Sequence, residues 1–346
     1  MNRYTVESVT SGHPDKICDQ ISDAILDELL RQDPDSRAGI EIMGSHRFLV
    51  IGGEVRTRGV VAYDKLARDF YTTVGYPDSL KIVWHVAEQS PDISRGVDVG
   101  GAGDQGIMYG YATDETPEFL SLGVARAHRL VKELEKKRKS GEIDWLAPDG
   151  KSQITVENGK FKTVLVSAQH KEGISQEEIK KVLIEKIIAP VMGDLSGIEV
   201  LINPTGKFVY GGFEADAGMT GRKQMVDTYG GIVPHGGGCF SGKDPSKVDR
   251  SAAYMSRFVA KNLVANGYAK KALVSVAYAI GKAEPLMVEA IDEKGQSLRV
   301  KVIDNFDFRP SAIIERLDLK RPIYTPTASY GHFGRKEFPW EKIVTI

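Results

Sequence analysis

The chain has 346 residues, in which 46 lysines and arginines meet 47 aspartates and glutamates for a formal charge of −1. That length exceeds one comfortable core and predicts two or three domains, while the charge balance argues against nucleic acid or an anionic membrane as the main partner. Two cysteines, Cys18 and Cys239, cannot alone build a disulfide framework or a zinc site; with no apolar signal core and no apolar run of spanning length, a cytoplasmic protein is expected.

In chain order, Ile17, Ile21, Ile25 and Leu29 recur at helical spacing and predict a helix that stops near Asp33-Pro34. Asp15, Asp19 and Asp23 fall on the opposite face at four-residue intervals, and Asp19 and Asp23 are expected to be solvated. Phe48 to Ile51 predicts a strand running into Gly52-Gly53-Glu54, and Lys81 to Val86 predicts another. A charged helix over about 119–139 ends in a basic run from Lys132 to Lys139, read as a solvated helix face. After a strand at Lys162 to Ala168, a helix over about 175–192 opens with Ser175 and Glu178 in capping-box spacing. Leu286–Ile291 and Leu298–Ile303 flank Glu293-Lys294-Gly295 as a hairpin. Phe48–Glu54 and Lys207–Glu214 both end a strand in a Gly-Gly pair, a hint of duplicated units. Antiparallel sheets covered by helices, an α+β layout, fit this order better than a doubly wound sheet.

Glycine is enriched, with 36 residues or about 10% against a usual ~7%, so several loops must bring backbone close to something. The densest run is His235-Gly236-Gly237-Gly238-Cys239-Phe240-Ser241-Gly242-Lys243-Asp244, where freed backbone N–H groups and a lysine suit a polyphosphate. Asp244 as N-cap and Pro245 as first helical residue then open a helix marked by Val248, Ala252, Met255, Val259 and Leu263. Gly237 to Lys243 fits G-x-x-x-x-G-K, but Asp244 stands where a hydroxyl should meet magnesium and no clear strand leads in, so this is not the ordinary P-loop. Gly101-Ala102-Gly103-Asp104-Gln105-Gly106 matches the dinucleotide fingerprint by letter only. A loop-like stretch from Ile93 to Asp98 precedes it, and the alternating Ile107, Tyr109 and Tyr111 predict a strand, not a helix, after it.

Gly12-His13-Pro14-Asp15-Lys16 lies at the mouth of the first helix, where His13 can donate to phosphate oxygen and Asp15 can hold magnesium; the plain alternative is a capped helix. Arg222-Lys223, after a glycine turn from Asp216, can clamp phosphoryl oxygens or form an exposed basic turn. Pro148-Asp149-Gly150-Lys151 reads by composition as a structural turn.

These motifs resemble one family in order. Glu7-Ser8-Val9 with the His13 cluster, Gln89-Ser90-Pro91-Asp92-Ile93, the Gly101–Gly106 run, Asp227-Thr228-Tyr229-Gly230-Gly231 and the glycine-lysine loop are similar to the S-adenosylmethionine synthetases. So are Asp249-Arg250-Ser251, Tyr330-Gly331-His332-Phe333-Gly334-Arg335 and Phe338-Pro339-Trp340, so that the likeness covers essentially the whole chain. The resemblance implies three similar sheet-plus-helix domains in a pseudo-threefold arrangement, over about 1–98, 99–212 and 213–346 and interleaved in space. It implies a reaction in which ATP and L-methionine give S-adenosylmethionine and a triphosphate that is cut to pyrophosphate and phosphate. A neutral thioether attacking carbon needs no base to create the nucleophile, which accounts for the lack of a Ser-His-Asp or Cys-His arrangement. The leaving group carries about four negative charges, and each cation near it is worth about 4 kcal/mol at ~4 Å before desolvation.

Carried over position by position, the resemblance implies that His13 stabilises the departing oxygen and Asp15 binds magnesium. Lys151 beside Asp149, with Arg222, Lys223 and Lys243, would contact ATP; Lys207-Phe208 matches the adenine-stacking pair and Cys239 a nucleotide-contacting position. Glu54, Gln89 and Lys247 match the methionine pocket, and Asp216 would hold the amino acid or ATP. Asp249 is assigned to magnesium or the phosphates and Glu41 to potassium, giving two Mg²⁺ and a K⁺ per site. Members build the site between two subunits, so a homodimer is expected, with pairs of dimers common. Three departures stand out: a shorter stretch between Gln89 and Gly101, which serves as a lid in the bacterial pattern; Lys207 for arginine; and Cys239 for alanine. Two rivals share the phosphate chemistry. A phosphotransferase or adenylate-forming ligase would leave ADP or AMP, and a regulatory nucleotide-binding module would need only the grips.

Overall fold

The computed structural model describes residues 3–77, 80–89 and 100–346. The Ile93–Asp98 loop and the Gln89–Gly101 departure fall largely outside the described residues. Three sheets form, each with a helix laid across one face, which is the α+β plan expected.

The first sheet runs β1 (Arg3–Val9), β6 (Leu146–Glu157), β7 (Lys160–His170), β8 (Glu199–Ile202), with α3 (Leu122–Lys139) packed on β6 and β1. The second runs β4 (Lys81–Glu88), β3 (Phe48–Arg56), β2 (Arg37–Ser45), β9 (Gly218–Met219); β4 lies parallel to β3, joined to it through α2 (Tyr63–Val74). The third is β11 (Met287–Asp292), β10 (Lys271–Tyr278), β5 (Gly106–Thr113), covered by α5 (Val248–Ala265). Along β10 the inward Ala272, Val274, Val276 and Tyr278 alternate with half-buried neighbours, the period-two pattern of a strand with one covered face. The sheets mix distant parts of the sequence, since β1 pairs with β6 and β2 with β9.

Helix α1 (Pro14–Gln32) lies at the centre and is buried on almost every side. Asp19 and Asp23 are therefore not solvated, contrary to expectation. Both are fully buried because segments from Gly221 onward pack over their face with donors aligned to them. Helix α4 opens at Gln176 with Ser175 accepting from Glu178 N–H, then runs through a π-helical segment (Ile184–Ile188) to Met192.

Four other local expectations fail. Leu298–Ile303 is not the second arm of a hairpin: one bridge, Ile291 to Ser297, forms before the chain turns helical over Arg299–Asn305, which lets Val302 and then Phe306 bury at helical spacing. Pro148–Lys151 is the bulged start of β6, not a turn. Lys207–Glu214 is irregular and ends in a 3-10 turn at Gly212–Glu214, so no strand duplicates Phe48–Glu54. The charged helix begins at Leu122, not near 119, where Phe119 has φ 57°.

Candidate active site

Two close backbone approaches assemble the region around His13. A Cβ on Gly12 would lie 2.4 Å from the Pro148 carbonyl oxygen, so glycine lets β6 bring Asp149 and Lys151 against the loop before α1. A Cβ on Gly218 would lie 2.3 Å from the Pro14 carbonyl, so glycine there lets β9 and the turn after it, with Arg222 and Lys223, dock on the same helix end.

His13 is the N-cap of α1: its Nδ1 accepts from Asp15 N–H at 3.2 Å, as in the plain capping alternative. Burial, followed by the Lys223 and Lys151 ammonium groups, pushes His13 down to about 3, so the ring is neutral at pH 7. With Nδ1 accepting, the ring proton sits on Nε2, and His13 is an uncharged donor. Asp15 Oδ1 accepts from Met219 N–H at 3.0 Å, and Oδ2 meets Lys223 Nζ at 2.6 Å; Arg222 Nε stands 3.5 Å from Oδ1. Burial works against the Asp15 charge, but Lys223 and the Met219 N–H hold the carboxyl below its usual range. Lys151 and Arg222 are exposed, and Lys223 is half-buried. Asp149 is buried, accepts from Gly212 N–H at 2.9 Å and is raised to about 6 by burial against the pull of Lys151. Asp216, exposed, acts on it electrostatically. Lys207-Phe208 joins this side: Phe208 N–H donates to His170 Nε2, and the next carbonyl, of Val209, accepts from Gln169, which also accepts from Asp149 N–H.

A second group abuts the first. A Cβ on Gly221 would meet Cys239 Cβ at 2.6 Å, so the Arg222 turn lies against the glycine-rich loop. There Lys243 Nζ pairs with Asp249 at 2.6 Å, and Glu41 and Cys239 lie within electrostatic reach of Lys243. Burial pushes the Cys239 thiol up, so it is not an activated nucleophile. The loop's glycines serve close packing: a Cβ on Gly236 would strike Ile107 O, and one on Gly238 would strike the Asp249 carboxyl. The Gly242 N–H bonds inward to buried Asp23, and the Gly237 N–H is taken by His235 Nδ1 at the surface. Asp244 does not cap the helix, nor does Pro245 begin it. Lys247 holds the cap position because Asp244 instead accepts from Ala38 and Ser246 N–H and pairs with Lys247. A phosphate would thus meet lysine and arginine side chains here, not a helix N-terminus. Gly39 bridges to Lys243 on one side and lies near Glu54 on the other, while Gln89 donates to Glu54 at 3.0 Å. His13, Asp15, Lys151, Arg222, Lys223, Cys239, Lys243, Asp249 and Glu54 thus form one connected region.

Sequence reasoning missed the buried triad beneath it. Lys16 Nζ bonds Asp19 at 2.9 Å and also Asp227, with His332 beside Asp227. The two carboxylates hold Lys16 firmly protonated, while burial pushes both carboxyls up, helped by Asp23 at Asp19 and by Asp19 and Asp23 at Asp227. Lys16 stands in the quoted motif and Asp227 in another, and only their pairing across 211 positions was hidden.

Among the described residues no three His, Cys, Asp or Glu side chains gather as a metal cage. Asp15 and Asp249 each present one carboxylate beside a lysine, a donor set that suits Mg²⁺ completed by phosphate oxygens and water and does not suit a structural zinc.

Three family models match in succession: the S-adenosylmethionine synthetase N-terminal domain over residues 2–93, the central domain over 99–208 and the C-terminal domain over 210–342. The chain belongs to the S-adenosylmethionine synthetase family. S-adenosylmethionine synthases of Thermus thermophilus and Petrotoga mobilis are 50% and 47% identical over 378 and 385 positions, covering 98% of this chain and 95% and 96% of theirs. That of Mesoplasma florum is 48% identical over 365 positions, covering 98% and 97%. Against 346 residues here, these lengths leave at least 19 positions of each relative with no counterpart in this synthetase.

Proposed function

We propose that the protein is an S-adenosylmethionine synthetase that joins the adenosyl group of ATP to the sulfur of L-methionine and releases triphosphate, which it cleaves to pyrophosphate and phosphate. The observation that carries this reading is the convergence of Lys151 and Lys223 on neutral His13 and of Arg222 and Lys223 on Asp15 beside it. Attack by the thioether leaves charge on the triphosphate oxygen. His13 Nε2–H donates to that oxygen, while Lys151, Arg222, Lys223 and Lys243 hold the phosphates by preorganised charge. Asp149 orients Lys151, and Lys207 and Phe208 receive the adenine. Glu54, with Gln89 bonded to it, and Asp216 take the methionine ammonium; Lys247 is shared with buried Asp244 and steers the carboxylate.

Asp15 and Asp249 would hold two Mg²⁺ ions, which supply further charge neutralisation on the phosphates. Glu41, exposed beside Lys243, would hold K⁺. A homodimer with shared sites is supported by an uncovered apolar row across the second sheet: Met219, Met43, Val50 and Val83 are cross-strand neighbours, and Met43 is 45% exposed. Glu41 shares that face two residues away on the same strand. Among the described residues no helix is long and apolar enough to cross a membrane, which accords with a cytoplasmic enzyme.

Incubation with ATP, methionine, Mg²⁺ and K⁺ should yield a sulfonium product together with phosphate and pyrophosphate. ADP or AMP in their place would give the reaction to one of the rivals. Replacing K⁺ by a large organic cation should lower the rate in the wild type and have little further effect in Glu41→Gln; equal loss in both would remove Glu41 from the ion site.

A further inference from the structure

Away from these residues, a cleft of about 380 Å³ opens between α3, the 115–122 turn and the 330–335 segment. Arg126, Arg129, Lys132 and Arg335 line it. Among the described residues, Arg126, Arg129 and Lys132 make no ion pair. Lys132 only overlies the Tyr330 ring at 5.8 Å, and Arg335 is tied to Glu337 and to the Pro326 and Ser329 carbonyls. Of the acids nearby, Glu115 is committed to Lys271 at 2.6 Å and Glu337 to Arg335 at 2.9 Å, while Glu118 makes no ion pair among the described residues and acts on Lys132 only at a distance. Two buried donors or acceptors also lack partners there. Arg126 Nε has none, and His128, 6% exposed and bonded at Nδ1 to Ser8, leaves Nε2 unpaired.

Buried polar atoms in folded proteins are nearly always satisfied, and like charges without counterions are costly when gathered in a concave site. Three unpaired cations and two orphaned nitrogens on one wall therefore point to an absent anion. We infer that this cleft is a second anion site that binds a multiply charged phosphate, of pyrophosphate or nucleoside monophosphate size, through Arg126, Arg129 and Lys132. Burial and the neighbouring Arg335 charge, opposed by the Glu337 and Glu118 carboxylates, push Lys132 down to about 8, a penalty that a bound anion would reverse. None of the cleft residues belongs to the active site. Tyr330 links the two, its hydroxyl accepting from Ser11 N–H at 3.3 Å two residues before His13.

The test is competitive acylation of lysines at pH 8, read by peptide mass spectrometry, with the active site filled by a non-hydrolysable ATP analogue and methionine. Millimolar pyrophosphate should slow labelling of Lys132 about fivefold, since raising its affinity for a proton tenfold leaves about a tenth of it neutral instead of half. AMP in a parallel arm distinguishes a nucleotide from the free anion as the source of the phosphate. The double variant Arg126→Ala/Arg129→Ala, and Arg129→Glu alone, should abolish protection while keeping wild-type turnover. Protection by neither anion, or protection that survives both variants, overturns the site. Because the readout is Lys132 labelling, its failure is distinct from failure of the synthetase reaction.

Discussion

Asp15 at the top of α1 and Asp23 two turns below carry the same side chain on the same stripe and do different work. Asp23 forms two bonds to Arg250, at 2.7 and 2.8 Å, and accepts from Gly242 N–H, with acid and base both fully buried. Asp15 is equally buried, but its partners are not: Lys223 is 18% exposed and Arg222 50%. A closed pair has no capacity left for a ligand, whereas a pair whose cations face solvent can hand them to a polyanion. The stripe thus passes from open to sealed ion pairs within two helical turns. Asp19 serves Lys16 and Gly221, and Asp27 at the lower end accepts from Tyr324 and Thr325.

The strongest attempt to break this contrast is Asp23→Ala, which leaves the Arg250 guanidinium buried without a counterion. It should cost about 3–5 kcal/mol in urea unfolding. A loss under 1 kcal/mol would mean the pair is not closed. His13→Ala should lower the alkylation rate about 10²–10³-fold, with ATP affinity and melting temperature little changed; an unaltered rate would deny His13 contact with the leaving oxygen.

The neutral histidines sharpen the picture through pH. His128, like His13, is held at about 3 in the fold, by burial and the Lys132 charge, against 6.5 in the unfolded chain. Below pH 6.5 the unfolded chain takes up a proton that the folded one refuses until about pH 3. Stability should therefore fall as pH drops through that window, by about 1.4 kcal/mol per pH unit for each histidine. The slope between pH 6 and 4.5 should be shallower by about one proton in His128→Asn, and identical slopes would show that His128 is charged in the native state. The smallest effect is expected of Asp15→Asn, which keeps the acceptor for Met219 N–H but frees Lys223. The Mg²⁺ midpoint for activity should rise about tenfold, roughly 1.4 kcal/mol, with stability nearly unchanged. An unmoved midpoint would take Asp15 out of the metal site.

Local signals in the sequence were reliable where one window decides the outcome. The isoleucine spacing of α1, the Ser175 cap and the strand rather than helix after Gly106 all held. Leu298–Ile303 misled because its alternation ends in a short helix that buries Val302 against the rest of the domain, information no window contains. Asp19 and Asp23 were misread for the same reason, since Gly221 and Arg250, which close over them, lie 202 and 227 positions away. The site was legible as motifs; which charges stay open and which are sealed depended on packing between them.

The placement of α1 constrains how the protein folds. This helix spans Pro14–Gln32, yet groups that satisfy its aspartates come from positions 219, 221, 242 and 324–325. Until the segments through Thr325 have come together over the helix its buried aspartates lack these donors, so the packing of α1 rests on long-range contacts, which form more slowly than local ones.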